Sequence, residues 1–231
     1  MNRFVALLPA AGSGSRMGAA TPKQYLPLLG QPLLVHTLRA LLGCPGLERV
    51  VLVLSPDDAW FEPAWVAGMD KLTVLRCGGA SRAETVRNGL AALQASVAAD
   101  DWILVHDAAR PCIGVEEVER LIDTLRDDPV GGLLALPLAD TLKRADGEGR
   151  SLATVPRDTL WRAQTPQMFR HGMLLRALES ATHAGITDEA SAIEALGLAP
   201  RLVAGNERNI KVTYPDDLAL ASLYLAERNR V

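Results

Sequence analysis

Apolar positions along this chain fall into short continuous runs, separated by longer stretches in which they recur every three or four residues. The runs Phe4–Leu8, Val50–Leu54, Leu72–Leu75, Trp102–Val105 and Leu133–Leu136 lack alternation, the pattern of strands covered on both faces of a parallel sheet. Between them the spacing predicts helices over Pro32–Leu42, Arg82–Ser96 and Val115–Arg126, and later over His171–Ala184, Glu189–Leu196 and Pro215–Arg228. Two helix starts carry their own signals. Ser81-x-x-Glu84 is a capping box, and Pro215 followed by Asp216 and Asp217 suits a first turn and its dipole. Strand–helix alternation implies an α/β fold: a single Rossmann-like, open, mostly parallel twisted sheet with right-handed crossovers, flanked by helices.

Residues 137–165 break the alternation. Leu138–Arg144 has strand character, Asp146-Gly147 is a hairpin turn signal, and Ser151–Val155 can return antiparallel. Its apolar content is too thin to bury itself. The expectation is a protruding β-hairpin arm at about 137–157 that needs something to pack on, a partner subunit being one candidate. No repeat, linker or low-complexity tract divides the 231 residues, so one domain with an arm is expected.

Composition works by exclusion. Apolar residues make up 48% of the chain, enough to fill a core and too many for a disordered chain. With 24 Lys+Arg against 27 Asp+Glu, the net charge of −3 argues against a basic nucleic-acid binder. Aromatics, at 4%, leave little for a base-stacking surface. Cys44, Cys77 and Cys112 are odd in number and far apart, which argues against disulfides or a zinc site and for a reducing cytoplasm. No run approaches the ~18 apolar residues of a membrane helix. The apolar start after Arg3 is interrupted by Pro9 and glycines, unlike a signal peptide.

The strongest local signal follows the first strand: Pro9-Ala-Ala-Gly-Ser-Gly-Ser-Arg-Met-Gly18. Small residues let backbone N–H groups approach phosphate oxygens, and open sheets bind ligands at the carboxyl ends of their strands. The spacing Gly12-x-Gly14-x-x-x-Gly18 is neither the dinucleotide fingerprint nor a Walker A loop. A dehydrogenase is disfavoured on that ground, and because only Asp57 or Asp58 follows Val50–Leu54 as a ribose-binding acid. A glycine turn alone can be purely structural. Arg16 inside the loop and Lys23 in Thr21-Pro-Lys-Gln-Tyr-Leu26 change that, because they supply two cations where phosphoryl or nucleotidyl transfer gathers negative charge. Asp107 ends an apolar strand, where it can meet a triphosphate-bound Mg²⁺ or simply cap its turn. Arg110 can fork onto a phosphate or remain a surface charge.

The glycine loop and the Pro-Lys-Gln-Tyr-Leu segment together resemble the nucleotidyltransferases that load a sugar or polyol phosphate onto a nucleotide. More narrowly, they resemble the 2-C-methyl-D-erythritol 4-phosphate cytidylyltransferase family of the non-mevalonate isoprenoid pathway. Gly78-Gly79 with Ser81–Gly89, Val105–Pro111, Asp140–Lys143, Thr165–Gln167, Ile186–Ser191 and Asn209–Thr213 are similar to that family's blocks, in its order.

The resemblance implies CTP and 2-C-methyl-D-erythritol 4-phosphate as substrates, Mg²⁺ as cofactor and a homodimer interlocked through the arm. It implies that Arg16 and Lys23 stabilise the charge on the transferring phosphorus, and that Arg157 and Lys211 position the acceptor. Ala10, Ala11, Gly12, Gly14, Gly79 and Thr85 are implied around the nucleotide, with Thr141, Arg110 and Thr165 as further substrate contacts and Asp107 at the metal. An acceptor phosphate monoester, with a second pKa of about 6, needs no base, so His106 is read as structural. His36, His171 and His183 are isolated and are read as packing or surface residues. Two rivals remain: a ribitol 5-phosphate cytidylyltransferase, which shares most of these motifs, and a non-catalytic nucleotide-binding module, which Arg16 and Lys23 together disfavour.

Overall fold

The computed structural model describes residues 2–12, 21–180 and 186–228. Its strands in chain order are β1 (Phe4–Pro9), β2 (Pro27–Leu28), β3 (Gln31–Pro32), β4 (Arg49–Val53), β5 (Leu72–Leu75) and β6 (Trp102–Val105). There follow β7 (Gly131–Pro137), β8 (Leu142–Ala145), β9 (Ser151–Val155), β10 (Trp161–Arg170) and β11 (Arg201–Ala204). The helices are α1 (Leu33–Leu42), α2 (Arg82–Leu93), α3 (Val115–Leu125), α4 (His171–Ser180), α5 (Glu189–Glu194) and α6 (Pro215–Arg228). Seven strands form one sheet in the order β11-β7-β10-β6-β1-β4-β5. Only β10 runs against its neighbours; the other pairs are parallel.

All five predicted strands are present; four are buried as the unbroken apolar runs require, while β5, at the edge of the sheet, is half-buried along its length. Side chains alternate across the sheet. Ala6, Leu8, Val50, Leu52 and Leu104 face a layer made by α1 and α3, whereas Val5, Leu7, Val51, Val53 and Ile103 face α2, α4 and α5. At about 1.5–3 kcal/mol for each fully buried Leu-sized side chain, these two layers hold the sheet. A third, smaller cluster packs Ala221 and Leu225 of α6 onto Ala109, Cys112 and Val212, and so pins α6 beside two loops at one end of the sheet.

Three local differences from the sequence reading have physical causes. β10 was not expected, because Arg162, Gln164, Pro166 and Gln167 break any apolar run and a proline argues against a central strand. The strand tolerates them by bonding its buried polar groups to loops, and its pairing with β7 lapses between Ala163 and Gln167, where the Thr165–Pro166 peptide is cis. The capping box at α2 is half formed. Ser81 Oγ accepts from the Glu84 N–H (3.1 Å), but the Glu84 carboxylate reaches back to the Ala80 N–H (2.9 Å). The helix predicted over His171–Ala184 runs to Ser180, and positions 181–185 lie outside the described residues.

The arm is a separate two-stranded sheet of β8 and β9, exposed along nearly its whole length. Asp146 accepts from the Arg150 N–H (2.9 Å) to close its turn.

Gly132 shows how tightly the edge strand sits. A Cβ there would lie 2.0 Å from the Arg201 carbonyl oxygen of β11, a backbone atom that cannot swing away. Gly132→Ala is therefore expected to lower the melting temperature and to speed amide exchange at Leu202 and Val203. Unchanged protection at those amides would contradict the packing described.

Candidate active site

A cavity of about 540 Å³ opens at the carboxyl ends of β1 and β6, in the size range of small-ligand pockets. Its floor is backbone and small side chains: Ala10, Ala11 and Gly12 after β1, Gly79 and Ala80 before α2, and Ala108 and Ala109 after β6. Gly78 allows the two loops to close on each other, since a Cβ there would fall 2.8 Å from the Leu54 carbonyl oxygen and 2.4 Å from Ala11 Cβ. Among the described residues, the charged ones lining it are Lys23, Arg82, Asp107 and Lys211. A larger depression of about 970 Å³ lies at the opposite end of the sheet, around Asp127, Asp128 and Arg170. None of the predicted site residues reaches it, so the chemistry belongs with the smaller cavity.

Asp107 is the charge centre of the cleft. Its Oδ1 accepts from Arg82 Nε (2.9 Å), while its Oδ2 lies 2.8 Å from Lys211 Nζ and 3.5 Å from Arg110 Nε. Burial alone would raise this carboxyl, but Arg82, then Lys211 and Arg110, hold it well below the usual carboxylate range. Arg82 in turn spends its terminal nitrogens on Glu189, a side chain only 1% exposed at the start of α5, with contacts of 2.6 and 2.9 Å. The result is a line of alternating charge from Glu189 through Arg82 and Asp107 to Lys211.

Behind this line lies a buried polar girdle. The Asp107 N–H donates to Thr165 Oγ1 (3.1 Å), the Thr165 hydroxyl meets His106 Nδ1 (2.9 Å), and His106 Nε2 meets the Arg110 carbonyl (3.2 Å). A neutral ring with its proton on Nε2 satisfies both contacts. Arg110 Nη1 donates to the Asn209 carbonyl (2.7 Å), and Asn209 Nδ2 donates to the Thr165 carbonyl (2.8 Å). Three distant segments are thereby tied together, and they carry Asp107 and Lys211.

Among the predicted residues, Ala10, Ala11, Gly12, Gly79, Thr85, Lys23, Asp107 and Lys211 converge on the cavity. Thr85 is buried there, its hydroxyl donating to the Ser81 carbonyl (2.9 Å). Arg110 and Thr165, expected at the substrate, are placed behind Asp107: the Thr165 hydroxyl is engaged on both sides and Arg110 Nη1 is held by Asn209, while Arg110 Nε is buried without a hydrogen-bond partner, 3.5 Å from Asp107 Oδ2. Thr141 and Arg157 sit on the exposed arm and do not line their own chain's cleft; the Arg157 guanidinium donates to the Ala139 carbonyl. Arg16 and Gly14 lie outside the described residues.

Asp107 had been expected to present its carboxylate to Mg²⁺. Here both oxygens face cations, it is the one carboxylate among the described residues lining the cavity, and no described cluster of three His, Cys, Asp or Glu could hold a metal. The described residues do not fit a resident Mg²⁺.

Sequence reasoning missed three participants. Gln24 is buried, and its Nε2 donates to the carbonyls of Ala10 (3.0 Å) and Gly12 (3.1 Å), which fixes the entry to the glycine loop. Its only sequence signal is its place beside Lys23, whose Nζ donates to the Val212 carbonyl (3.3 Å). Arg82 and Glu189 lie within quoted blocks, but nothing local joins residues 107 positions apart.

An open, mostly parallel sheet with a glycine-lined, cation-rich cleft at its carboxyl ends defines an α/β protein built for phosphorylated nucleotides. The family model described as IspD, 2-C-methyl-D-erythritol 4-phosphate cytidylyltransferase, matches residues 4–227. The chain belongs to this nucleotidyltransferase family. A relative of that name from Nitrosomonas eutropha is 59% identical over 231 residues, covering 99% of each chain. Another, from Laribacter hongkongensis, is 60% identical over 230 residues, again covering 99% of each. A crystal structure of 4-diphosphocytidyl-2C-methyl-D-erythritol synthase superposes with a TM-score of 0.86 at 44% identity, covering 97% of this chain and 99% of that one. The Francisella tularensis family member gives a TM-score of 0.81 at 32% identity, covering 96% and 100%.

The girdle makes a pH prediction. Burial is the largest effect on His106 and pushes its pKa down to about 4, against an ordinary value of 6.5. A depressed folded pKa means that the unfolded chain binds the proton more readily, so the stability is complete above pH 6.5 and is lost as pH falls from there towards 4. The span corresponds to about 3 kcal/mol. Urea unfolding at pH 7.5 and 4.5 should show that part of the acid loss disappearing in His106→Asn. An equal loss in both proteins would remove His106 from the account.

Proposed function

We propose that this chain transfers the cytidylyl group of CTP to 2-C-methyl-D-erythritol 4-phosphate, giving 4-diphosphocytidyl-2-C-methyl-D-erythritol and pyrophosphate. The observation that carries the reading is the cleft itself, in which Lys23, Arg82 and Lys211 surround a floor of glycine and alanine. Backbone and small side chains can lie flat against a pyrimidine, and the cations stand where a triphosphate and an acceptor phosphate would meet. The names of the relatives supply the identity of the two substrates.

The acceptor phosphate attacks the α-phosphorus in line and pyrophosphate leaves. Its phosphate is largely dianionic at neutral pH, so no protein base takes part, consistent with a His106 that is buried and held neutral. Lys23, with Arg16, offsets the charge that builds on the five-coordinate phosphorus, and Lys211 holds the incoming phosphate. Mg²⁺ bound with the triphosphate would neutralise part of its charge. Asp107 acts on the cations of the cleft. No helix among the described residues is long and apolar enough to cross a membrane, in keeping with a cytoplasmic enzyme on diffusible substrates.

The arm supports a composite site. β8 and β9 pair with no other strand among the described residues, and Thr141 and Arg157 are exposed there, away from their own chain's cleft. In a homodimer with crossed arms, these two residues complete the partner's acceptor site.

Pyrophosphate release measured over CTP, UTP, ATP and GTP with the methylerythritol and ribitol phosphates should favour CTP with the methylerythritol ester. Turnover with ribitol 5-phosphate alone would overturn the reading in favour of that cytidylyltransferase. In the same assay Arg16→Ala and Lys23→Ala should each lower kcat by at least ~10²-fold, with CTP affinity changing far less.

Co-refolding the inactive variants Arg16→Ala and Arg157→Ala in equal amounts tests the crossed arm. About half of the dimers are mixed on random pairing, and one site in each then carries no defect, so about a quarter of wild-type activity should return. Verified mixed dimers with no activity would assign Arg157 to its own chain.

A further inference from the structure

We propose that Glu189 is a positioning residue for the cleft: by occupying the terminal nitrogens of Arg82 from behind, it leaves Asp107 one oxygen free to hold Lys211. The inference rests on the reading of Lys211 as a holder of the acceptor phosphate.

The geometry separates this role from simple packing. The start of α5 is fixed without Arg82. Asp188 Oδ1 accepts from the Ser191 N–H (2.9 Å), and Gln167 of β10 donates from Nε2 to Asp188 Oδ2 (2.9 Å) while its Oε1 accepts from the Ala190 N–H (2.8 Å). Glu189 therefore stands between two residues that Gln167 already clamps. Its side chain has no need of Arg82 for docking the helix, yet it is buried and gives both oxygens to that one guanidinium.

Arg82 can satisfy a carboxylate along two edges. Nη1 and Nη2 face Glu189, and Nε alone faces Asp107 Oδ1. Nε and Nη2 share an edge and form the usual side-on fork for a carboxylate. If Nη2 is released from Glu189, that edge can close on both oxygens of Asp107, in direct competition with Lys211 at Oδ2. Glu189 prevents the closure. An anion that touches no substrate thus sets where a cation of the cleft points, from the far side of the line.

The test uses the full-length protein with Glu189→Gln, which keeps the shape but offers one acceptor and a repelling amide N–H, and with Glu189→Asp, which keeps the charge on a shorter stem. At a temperature well below either melting point, Glu189→Gln should raise the KM for the acceptor at least about tenfold and leave the KM for CTP within about twofold, as expected for loss of one charge-assisted contact. Glu189→Asp, on its shorter stem, should raise the acceptor KM by a smaller step of about threefold. A packing role would lower the melting temperature without this split. If the glutamine variant does not fold, an acceptor KM unchanged in folded Glu189→Asp overturns the proposal.

A second readout is independent of activity. Acetylation of Lys211 by an amine-reactive ester, followed by peptide mass spectrometry, should run severalfold faster in Glu189→Gln than in wild type, because the nitrogen leaves its carboxylate. Unchanged labelling overturns the positioning role even if KM moves. Faster labelling in a protein whose wild type turns over neither polyol phosphate supports the positioning role and overturns the proposed function instead.

Discussion

Three cations share the single carboxylate of Asp107, and most of the cleft follows from the physics of that arrangement. A carboxylate this buried, left alone, would take up a proton rather than stay charged, because desolvation outweighs anything a protein interior offers an isolated anion. Arg82, Lys211 and Arg110 reverse the balance. The dependence is mutual. Removing one partner of a buried pair costs about 3–5 kcal/mol because the other charge is left uncompensated. Asp107 therefore holds Arg82 from α2, Arg110 from its own loop and Lys211 from the segment before α6 in one place.

Such a cluster is stable only if its backbone supports cannot drift, and the supports nearest to it are hydrogen bonds. His106, Thr165, Arg110 and Asn209 join the end of β6 and the middle of β10 to the loop bearing Lys211 through buried groups. Each of these bonds is worth only about 1 kcal/mol net, but an unmade one costs the full desolvation of its group, so the network tolerates one arrangement and penalises the rest. The small apolar layer under α6, with Ala109 and Val212 packed on Ala221 and Leu225, fixes the same two loops from the other side. Charge, girdle and packing agree on a single geometry.

How much of this was legible depended on how local each cause is. Five of the six parallel strands could be read because burial between two layers leaves an apolar run, whereas β11, with only Val203 buried, leaves none, and the arm could be read from its Asp146-Gly147 turn and thin apolar content. Lys23 and the glycine loop were legible as adjacent residues with a shared chemical purpose. β10 was not, since its buried glutamines and threonine look like loop residues until their partners on α5 and the 206–209 segment are seen. The Arg82–Glu189 pair had no signature at all: periodicity and caps report on neighbours within a few residues, and an ion pair across 107 positions is decided by the fold. Arg110 and Thr165 show the converse. Their motif pointed to the substrate, while in the structure both are buried behind Asp107 and bonded into its support.

The distribution of charge carries the last step. The chain as a whole is acidic, at −3, yet among the described residues the charged groups lining the cleft are three cations to one carboxylate. An anionic substrate is therefore drawn by a local field and not by the overall charge of the protein. Exposed charges lose most of their influence beyond about 8–10 Å at physiological salt, but partly buried ones are screened far less. Arg82 and Lys211, with side chains 29% and 36% exposed, keep one flank on Asp107 and the other towards the cavity. A phosphate entering there meets cations already gathered and already oriented, and it need not order them at the moment of reaction. That is the form in which electrostatic stabilisation is most effective, since the work of assembling like charges was done by folding.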